Sequence, residues 1–111
     1  MGAVSIYKCL VNGSINAGAR DAVTSGLTRV NRDRFGIEPS DVTVEFIEVA
    51  DGLWFTAGEP SRASMVLGTV PEGTSQDVRI AVMDDIAHLF SDATGADYYD
   101  VMVVAADPNN R

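Results

Sequence analysis

One pattern constrains this chain more than any other: the sequence matches itself at a shift of 59 residues. Ala22-Val23 corresponds to Ala81-Val82, Leu27 to Ile86, Asp33 to Asp92 and Gly36 to Gly95. Asp41, Val42 and Val44 correspond to Asp100, Val101 and Val103. The helix starts need one extra residue, which brings Gly13 against Gly73. A repeat on this scale reads as two copies of one supersecondary unit, neither able to bury its apolar face alone.

The residues name the unit. Val4 to Val11 is rich in Val, Ile, Tyr and Leu and stops at Asn12-Gly13, which predicts a strand. Its apolar side chains fall on both alternating faces, as in a strand covered on both sides. A helix is expected from about Asn16 to Phe35, capped by Asn16 or Ser14. Ala19, Val23, Leu27 and Val30 recur there at helical spacing, Gly36 stops the helix and Pro39 forbids its continuation. Val42 to Val49 alternates as a second strand. Ala50 to Ser61 carries Leu53-Trp54-Phe55 among glycines and predicts a loop or bent hairpin. Ala63 to Val70 is a third strand. A second helix follows, with Thr74 as cap, Asp77 as capping-box partner, and Val82, Ile86, Leu89 and Phe90 on its apolar face. Gly95 ends it, Asp100 to Ala105 is the last strand, and a polar tail closes the chain.

Strand, helix, strand, repeated, is an α/β pattern of tandem β-α-β units. The halves run over about 4–58 and 62–107 within one domain, 1–111. Right-handed crossovers make each half a parallel strand pair with its helix on one face. The expected product is a four-stranded mixed sheet with two helices on one face. The sheet's other face is also apolar, and the chain has nothing left to cover it, which predicts an oligomer.

Composition excludes several partners. Sixteen acids against eight bases give a formal charge of -8. A nucleic-acid binder needs a basic face, and so does a protein held on an anionic membrane. No run of apolar residues is long enough to span a bilayer. Met1 to Val4 lacks the basic and long apolar regions of a signal peptide, so the expected compartment is the cytoplasm. The single cysteine, Cys9, excludes an internal disulfide framework. The single histidine, His88, excludes any site needing two imidazoles.

The segment from Val44 to Gly58 carries Phe46, Glu48, Gly52, Phe55 and Gly58 at characteristic spacing. It resembles the second-strand and loop motif of the tautomerase superfamily, both the 4-oxalocrotonate tautomerase type and especially the branch containing cis-3-chloroacrylic acid dehalogenase. The Asn12-Gly13-Ser14 turn and the Glu72-Gly73-Thr74-Ser75 turn, each ahead of a helix, fit the same pattern. The likeness runs from Val4 to about Asp107. It implies a tandem β-α-β sheet, a homotrimer and a small carboxylate ligand. In that family an amino-terminal proline supplies a secondary amine as base, acid or nucleophile. Here the proline position falls on Val4, and no proline occurs before Pro39. A helix-one histidine of the dehalogenase branch falls on Asn31. Its carboxylate-binding arginines fall on Pro71 and Thr74, and a last-strand tyrosine falls near Val103. The branch's C-terminal catalytic acid has no counterpart.

Other residues offer themselves as substrate contacts. Arg62 starts the third strand beside the aromatic loop and is the best binder of a carboxylate. Trp54 can floor a pocket or anchor a subunit interface. Glu45 and Glu48, three apart on a strand, face opposite sides, so they are not an acid/base pair. Glu45 can line the sheet surface with Lys8 or Arg62 as partner, and Tyr7 and Asn31 are further candidates. Cys9, between apolar neighbours, reads as an inert core thiol. Asp84, Asp85 and His88 lie one helical turn apart and read as a solvated acidic face with a local ion pair. No metal and no cofactor is expected.

Three functions fit these residues. The first is a tautomerase-like protein with divergent or lost proline-dependent activity that binds a small carboxylate. The second is an isomerase or lyase on 2-oxo or enol acids using another group, such as the Gly2 amine, Arg62 or Tyr7. The third is a non-catalytic assembly module.

Overall fold

The 59-residue spacing governs the backbone. The structure, a computed structural model, describes residues 4–107. Helix α1 spans Ala17–Phe35 and α2 spans Gln76–Thr94, so their starts and ends both stand 59 apart. Strand β1 is Ser5–Asn12, β2 Val42–Val49, β3 Phe55–Thr56, β4 Glu59–Pro60, β5 Ser64–Thr69 and β6 Val101–Ala106. A single 3-10 turn precedes β2 (Pro39–Asp41) and another precedes β6 (Tyr98–Asp100). Neither turn is expected from the sequence pattern.

The main sheet has the order β2-β1-β5-β6. Strands β1 and β2 are parallel, beginning with Ser5 beside Val42. Strands β5 and β6 are parallel, beginning with Ser64 beside Val101. The two pairs meet antiparallel at the centre, with Lys8 opposite Leu67. This is the mixed four-stranded sheet with both helices on one face. The Leu53–Ser61 segment forms the bent hairpin. Ala57 and Gly58 both take positive φ, 52° and 80°, as a two-residue turn between β3 and β4 requires.

The helices start and stop by local chemistry. Asn16 caps α1, its side chain accepting from the Ala19 amide at 2.8 Å. Gly36 and Gly95 end the helices in the left-handed conformation. The cap of α2 is Ser75 rather than Thr74: Ser75 Oγ accepts from the Val78 amide. Thr74 is drawn away because its hydroxyl donates back to Pro71 O at 2.6 Å, closing the preceding turn. The two caps are themselves 59 apart, so no extra residue is needed. Gly13 and Gly73 both have φ of 81°, but at different steps of their turns.

The core lies between the helices and one sheet face. Tyr7, Cys9 and Val66 of the sheet pack with Val23 and Leu27 of α1 and with Val82 and Ile86 of α2. The helices approach closely where Gly26 faces Leu89; a Cβ on Gly26 would stand 3.0 Å from Leu89 Cδ1. The opposite sheet face is open. Ile6, Ile47, Met102 and Val104 are exposed there. The strand therefore reads as covered on both sides by composition, while the described residues cover only one.

Candidate functional site

Strand β1 ends, β5 begins, α1 starts and α2 finishes in one region. A cavity of about 300 Å³ lies between them. Its apolar wall includes Val11, Ile15 and Phe90. Its polar lining includes Asn12, Ser14, Asn16, Ser64 and Thr94, with Arg62 as the cation. None of the described residues lining it is acidic. The nearby acid, Glu48, is engaged: its Oε2 accepts from the Ile15 amide at 2.8 Å. Asn12 donates its side-chain amide to Ser61 O, which ties the end of β1 to the start of the Arg62 segment. Arg62 is solvent-accessible and pairs with no acid among the described residues. It also lines a second cavity, shared with Tyr99 and Asp100.

Tyr7 and Asn31 stand elsewhere, buried between sheet and helices. Asn31 Oδ1 accepts from the Ser5 hydroxyl at 2.7 Å. Its Nδ2 donates to Tyr7 Oη at 2.9 Å and to Leu27 O at 2.8 Å. Burial pushes the Tyr7 phenol above its ordinary range, and the Asn31 hydrogen bond partly offsets this. Burial also pushes the Cys9 thiol up to about 12, which leaves it protonated and unreactive at neutral pH.

Val4 immediately precedes β1 and is 61% exposed. The Gly2 amine considered above lies outside the described residues. Glu45 is on the open sheet face, in register with Lys8 of β1. Trp54 is half-buried at the hairpin's base, where its carbonyl accepts from the Ser61 amide at 2.9 Å. Asp84, on α2, accepts from Tyr98 Oη at 2.6 Å and stands 3.5 Å from His88 Nδ1. The carboxylate raises the Tyr98 phenol. Asp85 instead bridges to Arg34 of α1 at 2.9 Å.

Sequence patterning singled out Arg62 but not Ser64, which lines the same cavity. The repeat carries the signal that would have found it. Ser64 is the counterpart of Ser5, and Ala63 is the counterpart of Val4, each 59 residues on.

Solved structures share this architecture closely. Native Ps01740 is 29% identical, with 92% of each chain covered and a TM-score of 0.86. N1, a member of the cis-3-chloroacrylic acid dehalogenase family, is 20% identical over 92% of this chain and 73% of its own, with a TM-score of 0.85. The Q0 fused 4-OT, solved as a symmetric trimer, is 20% identical over 92% of this chain and 84% of its own, with a TM-score of 0.83. No protein-family model matches the chain, and no curated protein does. The chain has the fold of the tautomerase superfamily, as its sequence resemblance implied.

Proposed function

We propose that this chain is a trimer-forming protein of the tautomerase fold that binds a small carboxylate and has left proline-dependent chemistry behind. The observation that carries the reading is the Arg62 cavity. In a chain with sixteen acids and a charge of -8, it presents a guanidinium and no carboxylate. A guanidinium fits a carboxylate with paired, charge-assisted hydrogen bonds. The absence of proline before Pro39 supports the second half of the reading. Val4 within the chain contributes an amide nitrogen, which is no base at neutral pH.

The open sheet face supports the assembly. Ile6, Ile47, Met102 and Val104 form an apolar surface that a second copy would cover, and the fused 4-OT structure is a trimer. The cytoplasm is the compartment this reading assigns, and its ligands are small metabolites rather than nucleic acid or membrane.

Two measurements test the proposal together. Purified protein is mixed with phenylenolpyruvate, and turnover is followed by absorbance. The expected result is no ketonisation above the buffer rate. Turnover at rates of about 1 s⁻¹ or more overturns the loss of catalysis. Sedimentation of the same protein should give three times the chain mass, and Ile6→Glu should lower it; a monomer at all concentrations overturns the trimer.

A further inference from the structure

The two halves are built alike at the start of their first strands and then differ at one point. Ser5 opens β1 and Ser64 opens β5, and both are buried. Beside Ser5, helix α1 places Asn31, which accepts the serine hydroxyl. The counterpart of Asn31 on α2, 59 residues on, is Phe90. A phenyl ring offers no lone pair in that place. Ser64 is only 7% exposed, and its hydroxyl has no hydrogen-bond partner among the described residues. No fully occluded side-chain polar atom there lacks a partner, so the Ser64 oxygen is reached from the cavity it lines. In the first half a hydrogen-bonded network of Ser5, Asn31 and Tyr7 fills the space. In the second half, with Val66 and Phe90 at the positions of Tyr7 and Asn31, the equivalent serine faces a cavity.

A hydroxyl that the fold leaves unpaired but open to a cavity can donate to whatever occupies that cavity. The lining describes the ligand. Arg62 supplies one positive charge, Ser64 one donor, and Val11, Ile15 and Phe90 an apolar wall. We propose that this cavity at the start of β5, rather than the position of Val4, binds a small monocarboxylate with a short apolar tail. Arg62 pairs with the carboxylate, Ser64 donates its hydroxyl to it, and the tail lies on the apolar wall. A dicarboxylate would bring a second charge against that wall, with no second cation among the described residues lining the cavity to meet it. The inference rests on the small-carboxylate reading of this cavity and adds the Ser64 contact and the ligand's shape.

The full chain is titrated with phenylacetate, phenylacetamide and succinate, and the backbone amides are followed by NMR. Phenylacetate should move the amides of Ser64, Gly95 and Ala96. The neutral amide and the diacid should bind at least about tenfold more weakly, as loss of a charge-assisted pair or burial of an unpaired charge requires. Arg62→Ala, at an exposed position, and Ser64→Ala should each weaken phenylacetate severalfold. Arg29→Ala, on the groove between the helices, should leave its affinity unchanged. A Ser64→Ala protein that binds as before overturns this inference and leaves the small-carboxylate reading standing, whereas shifts centred on residues 4–7, or an Arg62→Ala protein that binds as before, overturn both. Saturable binding of succinate alone overturns the ligand class. No saturable binding of any of these acids overturns both.

Discussion

The ring of Tyr7 fills the space that a side chain on Gly68 would need. A Cβ there would overlap Tyr7 Cε1 and stand 2.5 Å from Cδ1. The two residues are paired across the antiparallel centre of the sheet. Glycine is required at 68 by this close approach, not by an unusual backbone angle.

Gly68→Ala should therefore destabilise the fold by about 1–3 kcal/mol, since the Tyr7 ring is held on one side by Asn31 and cannot retreat freely. Urea unfolding followed by circular dichroism measures it. The double variant Gly68→Ala with Tyr7→Phe should remain destabilised, because the ring rather than the hydroxyl makes the clash.

Asn31→Leu keeps the branched shape and removes the polar contacts. It strands the Ser5 hydroxyl and takes a donor from Tyr7 Oη. The expected cost is about 1–3 kcal/mol. Adding Ser5→Ala should recover part of it, because the stranded hydroxyl is then gone. A double-mutant cycle in urea gives the coupling between the two.

Stability should fall as pH rises above 9. The Cys9 thiol has an ordinary value of 9.0 and is held at about 12 in the folded chain. Between those values the unfolded chain has lost its proton and the folded chain has kept it. The unfolded state thus binds fewer protons, and unfolding becomes easier with each step upward. Below 9 both states keep the proton and the effect vanishes. The buried Tyr7 phenol, also raised, acts in the same direction above its ordinary value of 10.0. The slope for one such group is at most about 1.4 kcal/mol per pH unit. Denaturant midpoints from pH 7.5 to 10.5 should fall in the native protein and fall less in Cys9→Ala.

The repeat made the fold legible. Periodicity and the stop signals at Gly36 and Gly95 located both helices within a residue or so. The alternation of Val42, Val44 and Phe46 located β2. Smaller features were not legible. Thr74 and Ser75 are both good caps, and only the Thr74 hydrogen bond to Pro71 O decides between them. Arg62 could be singled out by its charge and its neighbours. Its meeting with Ser64, Phe90 and the start of α1 depends on a strand pairing between residues more than fifty apart in sequence.

By itself the sequence determined the unit and its duplication, because helix and strand periods, caps and glycines act over a few residues and are written in order along the chain. It also determined that no proline stands ahead of Pro39. Tertiary structure decided what each copy does with the same place. Asn31 and Phe90 stand 59 residues apart, at equivalent places on the two helices. Only packing against Ser5 and Ser64 separates a filled polar network from a cavity, since hydrogen bonding turns on distance and direction between residues the chain brings together late.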